Sequence, residues 1–266
     1  MDIAAGVGGT VWIGTLYSGL VHYTPGDGGN WFQYTKEQMG LDSGSIISVE
    51  CQQDKIWFVT GYEPSVPGNG TGVHRMTLAP DKTPSVTSYT HMGSSTTLTT
   101  NRFNSITADK SGNIWFPAYN DASIARLKPD GTWQQFRSSA GGQNFDAFNG
   151  VYTATDSANI VYFAPLRQQP FAFDADTETW IDLPDMPVSD RYYYGIYVDQ
   201  NDGKWFYGAF GAYFLNADNT SWTLYSGTEM PAFADEYVEH LIVDTAGNVW
   251  FSTRYGLTLQ KLSGDR

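Results

Sequence analysis

One cysteine, Cys51, occurs in 266 residues, so no intramolecular disulfide can form and cysteine pairing says nothing of the compartment. The residue reads as an inert buried thiol in a first strand. Lysine and arginine are also scarce: 15 bases against 28 acids leave a formal charge of −13. Most of such a surface would repel a phosphate backbone or an anionic bilayer, so neither nucleic acid nor direct membrane insertion is expected. No apolar run approaches the ~18 residues needed to cross a bilayer, and no helical periodicity of useful length appears. Local catalytic signatures are missing too, with no G-x-S-x-G elbow, H-E-x-x-H helix, phosphate loop or Cys-x-x-Cys.

What the sequence has is a repeat. From Asn104 to Phe136 four short stretches alternate apolar with polar residues and are separated by Asp-Lys-Ser-Gly and Pro-Asp-Gly turns. That pattern is the signal of consecutive antiparallel strands. The aromatic of the second stretch recurs at Trp12, Trp57, Trp115, Tyr162, Trp205 and Trp250, at gaps of 45, 58, 47, 43 and 45 residues. A further Trp follows at Trp31, Trp133, Trp180 and Trp222, while Tyr89 takes that place in the second copy. A period of roughly 40–50 residues is that of a four-stranded propeller blade, which cannot bury both faces alone and needs neighbours. The expected fold is therefore an all-β, six-bladed β-propeller forming a single domain, with blades at about 1–40, 41–95, 96–142, 143–185, 186–232 and 233–266.

The aromatics are expected to be wedge-shaped fillers between blades, each burying of order 150–250 Å². Asp109, Asp199 and Asp244 open Asp-x-x-Gly turns and are expected to accept hydrogen bonds from their own turn backbone. They lack the Asp-x-Asp-x-Asp-Gly spacing and distal Glu of a calcium loop. Met1-Asp2-Ile3 opens directly in a strand rather than in a signal peptide, and the last blade should place its fourth strand near position 268, past Arg266. The expectation is a piece of a longer protein, its last blade lacking the outer strand.

The copies TVWIGTLYSGL and NVWFSTRYGL resemble the two-component-regulator propeller repeat, and GNIWFPAYNDASIARLKPDG is similar to a streptogramin B lyase repeat. The first resemblance implies a periplasmic or extracellular bacterial sensor scaffold, often for oligosaccharides. The second implies a magnesium-assisted lyase, whose repeat carries an acidic residue just after its Trp-Phe and a catalytic His nearby. Here Pro117 and Ala118 follow Trp115-Phe116, and no other copy has an acid at that spot.

Ligands of propellers collect on the face built by fourth-to-first and second-to-third strand loops. By alignment of the copies, Asn104, Tyr194, Glu239 and His240 open first strands there. The second-to-third loops add Tyr17, Tyr62, Glu63, Tyr119, Asn120, Arg167, Arg254 and Tyr255. Rings, amides and a few charges on a shallow face suit a carbohydrate or a protein partner, since stacking and fixed hydrogen bonds work without a deep pocket. His22 and His74 fall in third strands and read as structural or surface groups. The reading is a non-catalytic binding or sensor module without a cofactor. Its alternatives are a lyase that uses magnesium or calcium, with His240 as base oriented by Glu239, and an architectural propeller of a large surface protein.

Overall fold

The computed structural model describes residues 2–26, 28–61, 72–91, 98–119, 121, 123–137, 150–187, 192–227 and 236–261. Its strands form six antiparallel sheets in strict chain order. The first holds β1 (Asp2–Ala5), β2 (Val11–Gly14), β3 (Leu20–Thr24) and β4 (Asn30–Tyr34). A four-residue helix, α1 (Lys36–Met39), follows, held by a Thr35–Gln38 capping box and closed by Gly40 at φ 65°. The second sheet holds β5 (Ile46–Gln52), β6 (Lys55–Thr60), β7 (Gly72–Leu78) and β8 (Pro84–Tyr89). The third holds β9 (Thr107–Ala108), β10 (Ile114–Pro117), β11 (Ser123–Leu127) and β12 (Trp133–Arg137). The fourth holds β13 (Val151–Thr155), β14 (Ile160–Pro165), β15 (Phe171–Asp174) and β16 (Thr179–Asp182). The fifth holds β17 (Tyr193–Val198), β18 (Lys204–Gly208), β19 (Gly211–Leu215) and β20 (Trp222–Tyr225). The sixth has three strands among the described residues, β21 (Val238–Val243), β22 (Val249–Thr253) and β23 (Gly256–Gln260). These are the blades of an all-β propeller. The chain divides into two compact units, residues 1–151 and 152–266.

Burial follows strand position. Middle strands of the second to fifth sheets are largely buried on both faces, as in β11 and β18, those of the first and sixth alternate, and outer strands such as β8 run between half-buried and exposed. A strand covered by sheets on both sides reads as continuous apolar sequence, and an edge strand keeps its polar alternation. In the first unit the apolar cores lie between adjacent sheets: Trp12, Leu20, Ile46 and Phe58 in one, Trp57, Val73, Ile114 and Phe116 in the next. The second unit repeats this with Tyr162, Ala172, Phe206 and Tyr213, then Trp205, Val238, Leu241 and Phe251.

The turn aspartates do more than shape their turns. Asp109 accepts from the Asn113 backbone N–H (2.9 Å), from Asn113 Nδ2 (2.7 Å) and from Trp115 Nε1 (2.8 Å). Asp199 takes Trp205 Nε1 at 2.9 Å and Asp244 takes Trp250 Nε1 at 3.0 Å. The fourth sheet has Tyr where the others have Trp, and Tyr162 Oη donates to Asp156 at 2.8 Å. One carboxylate thus closes the hairpin and fixes the wedge.

Successive sheets are stitched by polar side chains. Asp2 accepts from Ser48 Oγ (2.8 Å) and from the Val49 N–H (3.0 Å), and Ser48 Oγ accepts from the Ile106 N–H (3.2 Å). In the second unit Lys204, wholly buried, donates to the Ala217 carbonyl (2.7 Å), faces Asp156 at 3.8 Å and lies 5.0 Å from the Tyr162 ring centre. His22 stacks on Trp12 at 4.0 Å, and His74 bridges Thr60 (3.1 Å) and Ser88 (2.9 Å) while burial pushes its pKa down to about 4. Both are structural, as expected. The Cys51 thiol is pushed up to about 12 by burial and by Glu50, and so stays protonated. Trp31 departs from the expected filler role, being 63% exposed. Trp133 leans on Tyr89 of the preceding sheet, but in its own unit no sheet precedes that of Trp31.

Two outcomes are expected. Asp109→Asn leaves the buried Trp115 N–H facing an amide and should cost roughly 2–4 kcal/mol. Asp244→Asn should cost less, because Trp250 is only half-buried. Urea midpoints of the two variants give the comparison, and equal losses would deny that burial sets the scale. The second outcome concerns Glu50, partly exposed in area but closely surrounded by protein. Burial above all, with Asp2 adding repulsion, raises its carboxyl from 4.5 to about 7, against hydrogen bonds from the Ala108 and Cys51 backbone. A raised folded pKa means stability present below about 4.5 and lost as pH climbs through 7. Glu50→Gln should therefore unfold at higher temperature than the parent at pH 8 and match it at pH 4, by thermal melts at both.

Candidate functional site

The first strands of the second, third, fifth and sixth sheets share one irregularity. Register slips by one residue between Ile46 and Ser48, between Tyr193 and Gly195, and between Val238 and His240. In the third sheet the Thr107–Trp115 pair and the Phe103–Ala118 bridge enclose the same one-residue excess. The extra residues are Ile47, Tyr194 and Glu239, with Asn104 at the matching place. A bulge bends its strand and re-aims side chains, and it commonly lies beside functional surface. Three of the residues expected to open first strands on the ligand face, Asn104, Tyr194 and Glu239, stand at this recurring position.

In the second unit the bulges and facing loops gather aromatic rings under two guanidinium groups. Tyr194 and Tyr237 stack with centroids 5.9 Å apart, and Arg254 lies 3.7 Å from the Tyr237 ring centre. Burial and the hydrogen bond to Tyr237 hold the Tyr194 phenol above its ordinary value, with Arg254 pulling the other way. Nearby in chain order, Arg167 covers Tyr192 at 4.7 Å, and Tyr192 meets Phe210 edge-on at 6.1 Å. Arg167 is held at φ 67°, the left-handed conformation of a tight turn. Arginine above an aromatic face is a cation–π arrangement worth about 0.5–1 kcal/mol when exposed, and it leaves the N–H fork free to point outward.

His240 is exposed and sits 5.6 Å from the Tyr207 ring. Its neighbour Glu239, also exposed, is the bulged residue itself. Tyr207 occupies that place because residue 195 is glycine: a Cβ there would overlap the phenol ring. Among the described residues no three His, Cys, Asp or Glu side chains gather as metal ligands. In the first unit Asn104 and Tyr119 approach one another around Gly150, and Asn104 Oδ1 accepts from the Val151 N–H at 3.1 Å. Tyr17 and Tyr255 are on the surface, 84% and 80% exposed. Tyr62, Glu63 and Asn120 lie outside the described residues.

Of the residues named from sequence, Tyr194 and Arg254 share one cluster, joined by Tyr237. Tyr237, Tyr192, Tyr207 and Phe210 were not expected in the site. The run Tyr192-Tyr193-Tyr194 beside a first-strand start, and Tyr237 two residues before Glu239, were the available signals.

No family model and no curated sequence matches the chain. Solved structures do, at the level of fold. The extracellular domain of BT3049 from B. thetaiotaomicron, described as a hybrid two-component system, is 17% identical with a TM-score of 0.69, over 100% of this chain and 35% of that one. PorZ, a surface component of the type-IX secretion system of Porphyromonas gingivalis, is 16% identical with a TM-score of 0.68, over 96% and 38%. Virginiamycin B lyase from Staphylococcus aureus is 13% identical with a TM-score of 0.67, over 99% and 84%. The chain thus spans little more than a third of the BT3049 and PorZ chains. The two kinds of propeller that the repeat resembles are both among the structures sharing its fold.

Gly195→Ala tests the local geometry. It should displace the Tyr207 ring at a cost of about 1–3 kcal/mol and move the His240 ring resonances by NMR while leaving those of His22 and His74 in place. Unchanged His240 signals would mean that Tyr207 does not set that corner.

Proposed function

We propose that the chain is a non-catalytic, extracytoplasmic binding propeller, a sensor or interaction module that recognises a carbohydrate or a protein partner on the loop face of its second unit. The observation that carries this reading is the Arg254–Tyr237–Tyr194 stack. Flat rings held by neighbours offer stacking area at little entropic cost, and the guanidinium forks add directed donors, which is how shallow faces achieve affinity without a deep pocket. The extracellular origin of the BT3049 domain and the surface location of PorZ support the compartment. No helix among the described residues is long and apolar enough to cross a membrane.

The test is a thermal-shift screen against oligosaccharides, repeated with magnesium, calcium and EDTA. A ligand at 100 times its Kd stabilises by about 2.7 kcal/mol, enough to register. A sugar-dependent shift that is independent of metal, and lost in both Arg254→Ala and Tyr194→Ala, is expected. A hit retained in both variants would remove this site from the reading. A shift with magnesium reversed by EDTA, together with turnover lost in His240→Ala, would replace it with the lyase.

A further inference from the structure

On the hairpin-turn side of the first unit, between its second and third sheets, lies a cavity of about 390 Å³. Four cationic side chains line it, Lys55, Arg75, Lys110 and Lys128, and no acidic residue does. That is a quarter of the chain's basic residues in one cleft of a protein carrying 28 acids. Trp57, Tyr89 and Trp133 supply rings, with Trp57 and Tyr89 stacked at 5.8 Å and Tyr89 edge-on to Trp133 at 5.5 Å. The Arg75 guanidinium lies 5.8 Å from the Trp57 ring centre.

The second sheet also lacks the bond that the third to sixth sheets make. Trp57 is buried, yet its Nε1 has no acceptor. The cause is a turn one residue shorter than that of the third sheet. Gln52 pairs with Lys55 directly, so Gln52 takes the register place that Asp109 holds in the third sheet. Its amide does not serve the indole: Gln52 Nε2 donates across the cleft to the Gly112 carbonyl at 2.8 Å. The carboxylate that would have bonded the indole and offset the cations is missing here.

We propose that this cleft binds a small ligand carrying an oxyanion on a ring-shaped body, the oxyanion held by Arg75 and the lysines and the ring set against Trp57, Tyr89 and Trp133. The volume suits a ligand of one or two rings. Cations around a low-dielectric aromatic wall focus positive potential, which local charge can sustain in a chain that is acidic overall. An acceptor on the ligand that displaces Gln52 would give Trp57 the partner that the third to sixth sheets provide internally. The cleft shares no residue with the aromatic cluster of the second unit.

The experiment uses the whole chain and titration calorimetry in low salt. The probes are a uronic-acid disaccharide, an aromatic carboxylate, a neutral disaccharide and inorganic sulfate. Binding by one of the two ring-bearing acids, weakening at least roughly tenfold with each of Arg75→Met and Lys55→Met, is expected, as is a fall with added salt. The sugar and aromatic arms identify which ring the cleft takes. Gln52→Asp, which installs the carboxylate of the sister sheets, should abolish binding while the protein melts no lower than the parent. Arg254→Ala should leave this binding unchanged, which separates it from the reading above. The proposal is overturned if the neutral disaccharide or sulfate alone binds as well as the ring-bearing acids. Failure of both acids to bind overturns it as well, as does binding that survives Gln52→Asp in a folded protein.

Discussion

The hydrogen bond from a wedge aromatic to the aspartate of its own hairpin is the constraint around which the third to sixth sheets are built. A tryptophan is the largest filler available for the gap between two twisted sheets, and burying about 200 Å² of it gains roughly 5 kcal/mol. The indole N–H is the liability, since leaving it unpaired forfeits about 1–3 kcal/mol. Asp109, Asp199 and Asp244 remove that cost with a group that the turn already needs. Tyr162 shows that the constraint is chemical rather than a matter of residue identity. A phenol reaches the same carboxylate, Asp156, that an indole would, and Lys204 then fits between ring and carboxylate.

Because the latch sits at the hairpin end of the third to sixth sheets, their opposite ends are released from that work. There the first strands carry the recurrent bulge, and its occupant varies freely: Ile47, Asn104, Tyr194, Glu239. The aromatic cluster joins Tyr194 at the bulge to Tyr237, which holds the register place that Tyr192 takes in the fifth sheet.

This division also explains what could be read from sequence. Six blades followed from the spacing of one aromatic, because a period of forty-odd residues survives the loss of nearly all other identity. The turn aspartates were legible as turn formers, but their indole contact was not, since it depends on where the hairpin places a side chain six residues on. Tyr237 escaped because its partner, Tyr194, is in another sheet, and no periodicity links residues joined only by the packing of neighbouring blades. The exposure of Trp31 escaped for the converse reason: its position in the repeat is that of a filler, and only its neighbours decide otherwise.

The exception in the second sheet follows from the same physics. Deleting one residue from a hairpin moves Gln52 into register with Lys55 and leaves Trp57 without an acceptor. The burial gain of the ring exceeds the cost of the unpaired N–H, so the fold tolerates the change. What that shorter turn yields is local: a cleft with no acidic residue in its lining and a buried donor without an internal partner. In the third, fifth and sixth sheets, a carboxylate at the same register would meet any anion with repulsion.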